Sequence, residues 1–186
     1  AFRVAAVPDE PSVLAETVED QLVRADVLIT TGGLSIGRGD AVEDVLTPLG
    51  PVRFDAVAMT PGRRLGVGTV ESTPIFCLPG DPVSAQIAFE TFVRPAVRQI
   101  AGRRELHRSC LPASISTGWH SPPEKREFVP VRLTGSPSRG YTAEPTSPPG
   151  TTRLLGLARA NAIAIVPETT CTVVAGDVLR CLLLDA

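Results

Sequence analysis

The first 102 residues alternate short apolar runs with segments whose apolar positions recur every three or four residues. This spacing predicts helices at Ser12–Arg24, Ala41–Leu49 and Val83–Ala101, the last with Pro95 as a bend. The short apolar runs predict strands at Phe2–Val7, Val27–Thr30, Val52–Val57, Gly66–Val70 and Ile75–Leu78. Alternating strands and helices predict an α/β domain over 1–102, with a mostly parallel sheet sandwiched by helices.

The pattern changes from Arg103 onward. Brief alternating runs between Pro, Gly and Ser clusters predict strands at Glu127–Leu133, Tyr141–Glu144, Ala162–Val166 and Val178–Leu184. Only Thr152–Ala160 has a helical pattern. We therefore expect a second, small β-rich domain over 106–186 with a barrel-like fold.

Composition narrows the class of partner. The 186 residues are 43% hydrophobic and carry a net charge of −2 with both signs scattered, which argues against nucleic-acid and membrane-surface partners but leaves room for a small anionic ligand. Four cysteines without a C-x-x-C pair and two histidines argue against a zinc site. With no apolar run near the length of a membrane span, we expect a reducing, cytoplasmic setting. The opening Ala1-Phe2-Arg3-Val4 without Met is typical of a piece of a longer protein.

Two loops carry candidate chemistry. In the first, a buried strand runs into a glycine-rich turn before a helix, and Thr31, Gly32, Gly33, Ser35, Gly37 and Asp40 are its candidate ligand residues. Glycine N–H groups can cradle phosphate oxygens, and hydroxyls add donors. The alternative is a plain strand-to-helix turn in which Asp40 caps the helix.

The second loop also lies between a strand and a helix, and its candidate residues are Pro79, Gly80, Asp81, Pro82 and Ser84. The prolines stiffen the backbone, and the dipole of the following helix favours an anion. Alternatively, the loop is a rigid turn without a ligand. Because ligands bind at the carboxyl ends of parallel strands, we expect both loops to line one pocket at the same sheet edge.

These motifs resemble those of the molybdopterin molybdenumtransferase family. Thr30–Asp40 resembles its T/S-S-G-G-V-S-x-G-x-x-D motif, Leu78–Ala85 its L-P-G-N-P-V-S-A motif, and the Pro61-Gly62 turn fits as well. Lys125-Arg126-Glu127-Phe128 resembles its R-x-E-F signature, and Leu157–Ala162 its S-x-A-x-A-N-G/A stretch. The resemblance covers nearly the whole chain, including the tail that single-domain adenylyltransferases lack.

The resemblance implies an activity and roles for residues. Such enzymes take adenylylated molybdopterin, molybdate and a divalent cation, usually Mg²⁺, and release AMP; the full-length protein is expected to be a homodimer. Asp9 and Asp40 match acidic positions that would act in catalysis and hold the metal. Ser84, Arg126 and one of Thr151 and Thr152 match positions expected to bind an oxyanion such as molybdate. The alternative interpretation is that Asp9 only forms a turn and that Arg126 is a solvated charge on an edge strand.

The chain departs from the family pattern at three positions. Ala56 and Thr60 replace lysines, with Arg63 and Arg64 as candidate substitutes, and Asp81 replaces the usual asparagine. These changes leave a second hypothesis open, in which a non-catalytic paralogue or fragment binds molybdopterin or a protein partner as a scaffold. His107, His120 and Trp119 are interpreted as structural or exposed residues.

Overall fold

The structure is a computed structural model that describes residues 1–34 and 41–184. Its helices are α1 (Pro11–Leu22), α2 (Ala41–Leu49), α3 (Pro82–Ala88), α4 (Arg94–Ile100) and α5 (Leu154–Arg159). Its strands are β1 (Leu28–Thr31), β2 (Val52–Ala56), β3 (Met59–Thr60), β4 (Arg64–Val70), β5 (Thr73–Leu78), β6 (Cys110–Ile115), β7 (Trp119–His120), β8 (Arg126–Ser136), β9 (Gly140–Pro145), β10 (Ala162–Val166), β11 (Thr172–Val173) and β12 (Val178–Leu183). Across these described residues, no helix combines the length and apolar character needed to cross a membrane.

The chain forms two compact units. The first unit comprises Ala1–Val57 and Arg64–Asp81, and the second comprises Ala58–Arg63 and Pro82–Ala186. The predicted domains, 1–102 and 106–186, place the helical segment after Pro82 with the sheet before it. By packing, that segment groups with the second unit instead, so the domain limits remain a proposal.

The first unit contains a four-stranded sheet in the order β1-β5-β4-β2. The α/β class is confirmed, but the sheet is mixed: β1 and β5 are parallel, whereas β5–β4 and β4–β2 are antiparallel. The reason is the length of the connection. Only Glu71 and Ser72 separate β4 from β5, with Glu71 at φ 54°, and a turn this short joins strands only in antiparallel order.

The predicted strand Phe2–Val7 is wrong, because these residues adopt no strand. A strand requires a hydrogen-bonded neighbour, and none of the described strands pairs with this segment. Its side chains from Phe2 to Ala6 are exposed, with Phe2 at 89%. The core of the first unit lies instead around Leu46, Ile75 and Cys77, against which Val18 of α1 packs.

The second unit contains a closed barrel. Strands β10, β12, β6, β9 and β8 follow one another, and β8 also pairs with β10, which closes the ring; β3 pairs with β8 outside it. The predicted barrel-like fold is thus confirmed. Closure removes exposed strand edges, and the interior is filled by small and branched side chains such as Val131, Ala143 and Ala164.

The helical segment after Pro82 is not a continuous α-helix, and its irregular turn lies just before Pro95. A π-helical turn, Phe89–Val93, separates α3 from α4, and Pro95 lies in the first turn of α4. Proline has no N–H and its ring crowds the carbonyl four residues earlier, so the helix widens before it. Val83 and Ile87 of this segment pack with Met59, Phe128 and Ile163, all in the second unit.

Candidate functional site

The two predicted loops leave the same edge of the first unit's sheet. In the parallel pair, Thr31 at the end of β1 is in register with Leu78 at the end of β5. Beyond this pair, the Gly32 N–H donates a hydrogen bond to the Leu78 carbonyl oxygen at 3.0 Å. The carboxyl ends of both strands therefore coincide, as the topological argument requires.

The backbones of these loops also touch. A Cβ atom built on Gly80 would lie 3.2 Å from the Cα of Gly32, which is tighter than ordinary van der Waals contact. The predicted proximity of the loops is confirmed for Gly32, which follows β1, and Gly80, which lies two residues after the end of β5. Contact with a ligand stays a prediction.

Gly32 and Gly33 differ in what a side chain at each position would contact. Gly33 has φ +66°, and a Cβ there would lie 2.5 Å from Cγ2 of Val42 on α2. Gly32 has φ +93°, but a Cβ there would meet nothing within 4 Å. Packing against α2 accounts for Gly33, whereas Gly32 faces open space. A Gly33→Val change would disturb the fold, so it is a poor test of ligand binding.

The remaining candidates of the first loop and the two candidate metal ligands, Asp9 and Asp40, are considered together. Ser35, Gly37 and Asp40 lie outside the described residues. Asp9 is exposed just before α1. Within residues 1–34 and 41–184, no group of three His, Cys, Asp or Glu side chains is arranged to hold a metal ion.

The helix that follows the second loop begins at Pro82, and its first turn buries Ser84 at 6% exposure. The Pro61-Gly62 turn packs beside it. Gly62 has φ +87°, and a Cβ there would lie 3.0 Å from the Ser84 carbonyl oxygen. The half-buried Asp81, which precedes Pro82, belongs to the first unit. Asp81 and Ser84 each take part in further interactions.

The remaining oxyanion candidates lie on the second unit. The Arg126 guanidinium forms an ion pair with Glu168, with Nη2 3.0 Å from Oε2, and both side chains are about half exposed. Thr152 is exposed before α5, and the adjacent Thr151 hydroxyl donates to the Pro148 carbonyl oxygen at 2.6 Å. Arg126 therefore already has an acidic partner, with which an oxyanion would compete.

The sequence was compared with models of known protein families. Residues 1–99 match the family model described as a probable molybdopterin binding domain. The chain belongs to this molybdenum cofactor biosynthesis family. Residues 112–184 match the MoeA C-terminal region, domain IV.

Curated relatives and solved structures agree with this family. Two proteins of Mycobacterium tuberculosis, molybdopterin molybdenumtransferase 2 and 1, are 35% and 33% identical over 95% of the chain. A molybdopterin biosynthesis MoeA protein from Pyrococcus horikoshii superposes with a TM-score of 0.80 at 25% identity over 97% of the chain. The chain spans 44%, 43% and 42% of the lengths of these three proteins, respectively.

The R-x-E-F resemblance places Lys125, and not Arg126, at the position of the family's arginine. The arginine of the signature lies two residues before the glutamate, and in this chain that position is Lys125, the only lysine in the sequence. Lys125 is half-buried, immediately before β8. The glutamate, Glu127, is buried at 2% and accepts a hydrogen bond from Trp119 Nε1 at 2.8 Å. Trp119 is thus structural, as predicted, and Lys125 becomes a candidate only through its position in the signature.

The asparagine of the S-x-A-x-A-N stretch also has a clear role. Asn161 accepts a hydrogen bond from the Leu133 N–H at 2.7 Å and donates one to the Leu133 carbonyl oxygen at 3.0 Å. Its amide therefore substitutes for a neighbouring strand beside β8. This motif residue stabilises the barrel, and nothing in its geometry points to ligand binding.

Proposed function

We propose that the first unit binds a nucleotide-activated pterin and that the complete protein inserts molybdate into adenylylated molybdopterin with release of AMP. The observation that carries the proposal is the contact of Gly32 with Gly80 at the carboxyl ends of the parallel strands. Glycine backbone that lacks side chains lets phosphate oxygens approach N–H groups closely. The family match and the relatives named as molybdenumtransferases support the same chemistry.

Roles can be assigned to the candidate residues within this proposal. The pterin nucleotide contacts residues of the two loops of the first unit: Thr31, Gly32, Gly33, Ser35, Gly37, Pro79, Gly80 and Asp81. On the second unit, Pro82 begins α3, and Ser84, Arg126 and Thr152 are proposed to bind the oxyanion. A guanidinium and hydroxyl groups suit a tetrahedral dianion. Lys125 joins this group because of the motif register.

The residues proposed to hold magnesium are carboxylates. Mg²⁺ takes carboxylate oxygens, and Asp9 offers one that is exposed. The partner expected beside it, Asp40, is outside the described residues. Asp9 and Asp40 are therefore assigned as the residues that would hold the ion, and no reaction step is assigned to it.

The binding site can be tested through the contact between the loops. The Gly80→Ala variant adds a methyl group against Gly32 without requiring a left-handed backbone. The control is Gly102→Ala, whose methyl group enters open space but whose φ of +67° makes the change strained, so the thermal midpoints of both variants are compared beside their affinities. Titration of adenylylated molybdopterin, followed by pterin fluorescence, should show binding weakened about tenfold or more by Gly80→Ala, which is roughly 1.4 kcal/mol. The control should bind like the unaltered chain.

Two results would contradict the proposal. If the unaltered chain does not bind the pterin nucleotide, the first unit does not hold the site. If Gly80→Ala keeps both its thermal midpoint and its affinity, the loops do not contact the ligand.

A scaffold function is the second candidate, and the observation that favours it is Ala56 and Thr60 at positions where the resemblance has lysines. Cofactor reconstitution with adenylylated molybdopterin, molybdate and Mg²⁺ separates the two candidates when the complete protein is assayed. Binding without release of AMP would favour the scaffold, and turnover would favour the enzyme.

The cellular setting and assembly are also proposals. All four cysteines are free, which supports a reducing, cytoplasmic compartment. The homodimer rests on the family resemblance, and sedimentation of the complete protein tests it.

A further inference from the structure

Arg64 is the first residue of β4 and lies at the end of the sheet from which the two glycine loops leave. Strands β4 and β5 are antiparallel, with Gly66 in register with Cys77. Two residues earlier along β4 is Arg64, and two residues later along β5 is Pro79. By this register, Arg64 stands opposite the start of the second loop, within the same unit as Gly32 and Gly80.

The cross-strand partner of Arg64 is Ala56. These two residues are directly paired between β4 and β2, so their side chains lie on the same face of the sheet. The methyl group of Ala56 brings no charge and takes little space. Arg64 therefore supplies a positive charge on β4, next to β2, where Ala56 stands at a position at which the family resemblance implies a lysine.

The guanidinium of Arg64 is held in place on one side only. Its Nη2 donates to Glu43 Oε2 at 2.5 Å, and Glu43 lies in the first turn of α2. Its Nε is buried and has no hydrogen-bond partner among the described residues. The side chain as a whole remains 34% exposed. A buried donor without an acceptor is costly, and the exposed third of the side chain leaves the guanidinium accessible to an incoming anionic oxygen.

We propose that Arg64 is a substrate-binding residue that donates hydrogen bonds to a phosphate oxygen of the nucleotide-activated pterin, and that Glu43 is the positioning residue that orients it. This inference rests on the proposed function of the first unit. Arginine suits the task because its planar fork of donors contacts Glu43 and a phosphate at the same time.

The test measures binding of inorganic pyrophosphate and of AMP to the chain by isothermal titration calorimetry. Arg64→Ala should weaken binding roughly tenfold to a hundredfold, because a charge-assisted hydrogen bond is lost. Arg64→Lys should recover part of the affinity. The matched control is Arg53→Ala on β2, whose arginine is exposed and pairs with Asp55 at 2.9 Å; it should bind like the unaltered chain.

The outcomes separate this inference from the proposed function. If the unaltered chain binds neither probe, the phosphate site of the first unit is refuted, and Arg64 with it. If the unaltered chain binds and Arg64→Ala binds equally well, only the role of Arg64 is refuted. Should Arg64→Ala lose its cooperative unfolding transition, the folded Arg64→Lys variant decides. A measurable affinity of Arg64→Lys that is weaker than that of the unaltered chain supports the inference. An unchanged affinity that does not depend on salt concentration overturns it.

Discussion

The two units of this chain place their polar groups differently. The described residues with buried polar or charged side chains are Ser84, Glu90, Ser121 and Glu127, and all four belong to the second unit. The candidate edge of the first unit instead uses loop backbone at Gly32 and Gly80 and the partly exposed Arg64. Buried polar contacts specify a fold, whereas an accessible polar edge can serve a ligand. Mutations should therefore separate stability, mainly in the second unit, from binding of the pterin nucleotide in the first.

A largely buried ion pair in the second unit joins Glu90 to Arg108. Arg108 donates from Nε to Glu90 Oε2 at 2.6 Å and from Nη2 to Oε1 at 3.0 Å. Gln86 adds a hydrogen bond at 3.1 Å, and Arg94 Nε lies 3.6 Å from the same carboxylate. Arg108 also donates to the Leu184 carbonyl oxygen at 2.5 Å. This cluster fastens the helical segment to the end of the barrel within one unit.

The largest expected effect is the loss of this pair. Glu90→Gln leaves the Arg108 charge largely buried without its carboxylate, which should lower the free energy of unfolding of the second unit by about 3–5 kcal/mol. Urea unfolding followed by fluorescence of Trp119, the only tryptophan, measures the second unit. Thiol labelling of buried Cys77 reports on the first unit as a control. If the Trp119 transition stays in place, the contrast between the units fails.

Much of the fold could be predicted from periodicity, and the exceptions have physical reasons. Ala41–Leu49 and Ala162–Val166 are a helix and a strand with the predicted bounds. Strand β6 escaped prediction because Pro112 lies within it, and proline normally argues against a strand. Strand β3 spans two residues and exists only through pairing with β8. Such non-local pairing leaves no periodic signal in a local window.

The candidate site could be predicted in part. The convergence of Gly32 and Gly80 follows from a rule about the carboxyl ends of parallel strands, and it holds even though the rest of the sheet is antiparallel. The contact between Glu43 and Arg64 joins residues 21 positions apart on a helix and a strand, so no motif signals it. The pairing of Arg126 with Glu168, 42 positions away, was invisible for the same reason.

A buried thiol in each unit sharpens the comparison through pH. Burial raises the pKa of Cys77 in the first unit and of Cys181 in the second from 9.0 to about 11. The Thr30 hydroxyl opposes the effect at Cys77, and Cys110 adds to it at Cys181. A group whose folded pKa is raised contributes fully below the unfolded pKa and loses that contribution as pH rises through the folded pKa. Each unit should therefore lose about 1.4 kcal/mol per pH unit between pH 9 and 11.

Urea unfolding at several pH values checks this, with each unit followed separately by hydrogen exchange. Cys77→Ala should flatten the alkaline loss of stability in the first unit alone, and Cys181→Ala in the second alone. Identical slopes in both variants and the unaltered chain would show that the thiols do not cause the loss.

A smaller effect is expected at Asn161. Asn161→Ala removes both hydrogen bonds to the Leu133 backbone and leaves its N–H and carbonyl groups without these partners, which should cost the second unit about 1–3 kcal/mol. Asn161→Asp keeps the acceptor for the Leu133 N–H but loses the donor, so it should fall between the two. Unfolding followed by Trp119 fluorescence gives the ranking. Equal stability of Asn161→Ala and the unaltered chain would remove Asn161 from the contacts that support the barrel.

The smallest stability effect should come from the exposed pair of Arg126 and Glu168. The pKa of Glu168 is lowered by a hydrogen bond of its own backbone and by Arg126, so the carboxylate is charged at neutral pH and competes with any oxyanion for the guanidinium. Glu168→Gln should leave the unfolding midpoint within experimental error, because exposed ion pairs contribute little and salt screens them. If Arg126 binds molybdate as proposed, the same variant should bind molybdate more tightly at low ionic strength, and Arg126→Ala should cancel that gain in a double-mutant cycle. Calorimetric titration of molybdate into the three variants measures both effects. Equal molybdate affinity in all variants would make Arg126 a surface charge that serves neither stability nor binding, and the oxyanion role would then fall to Ser84, Thr152 and Lys125.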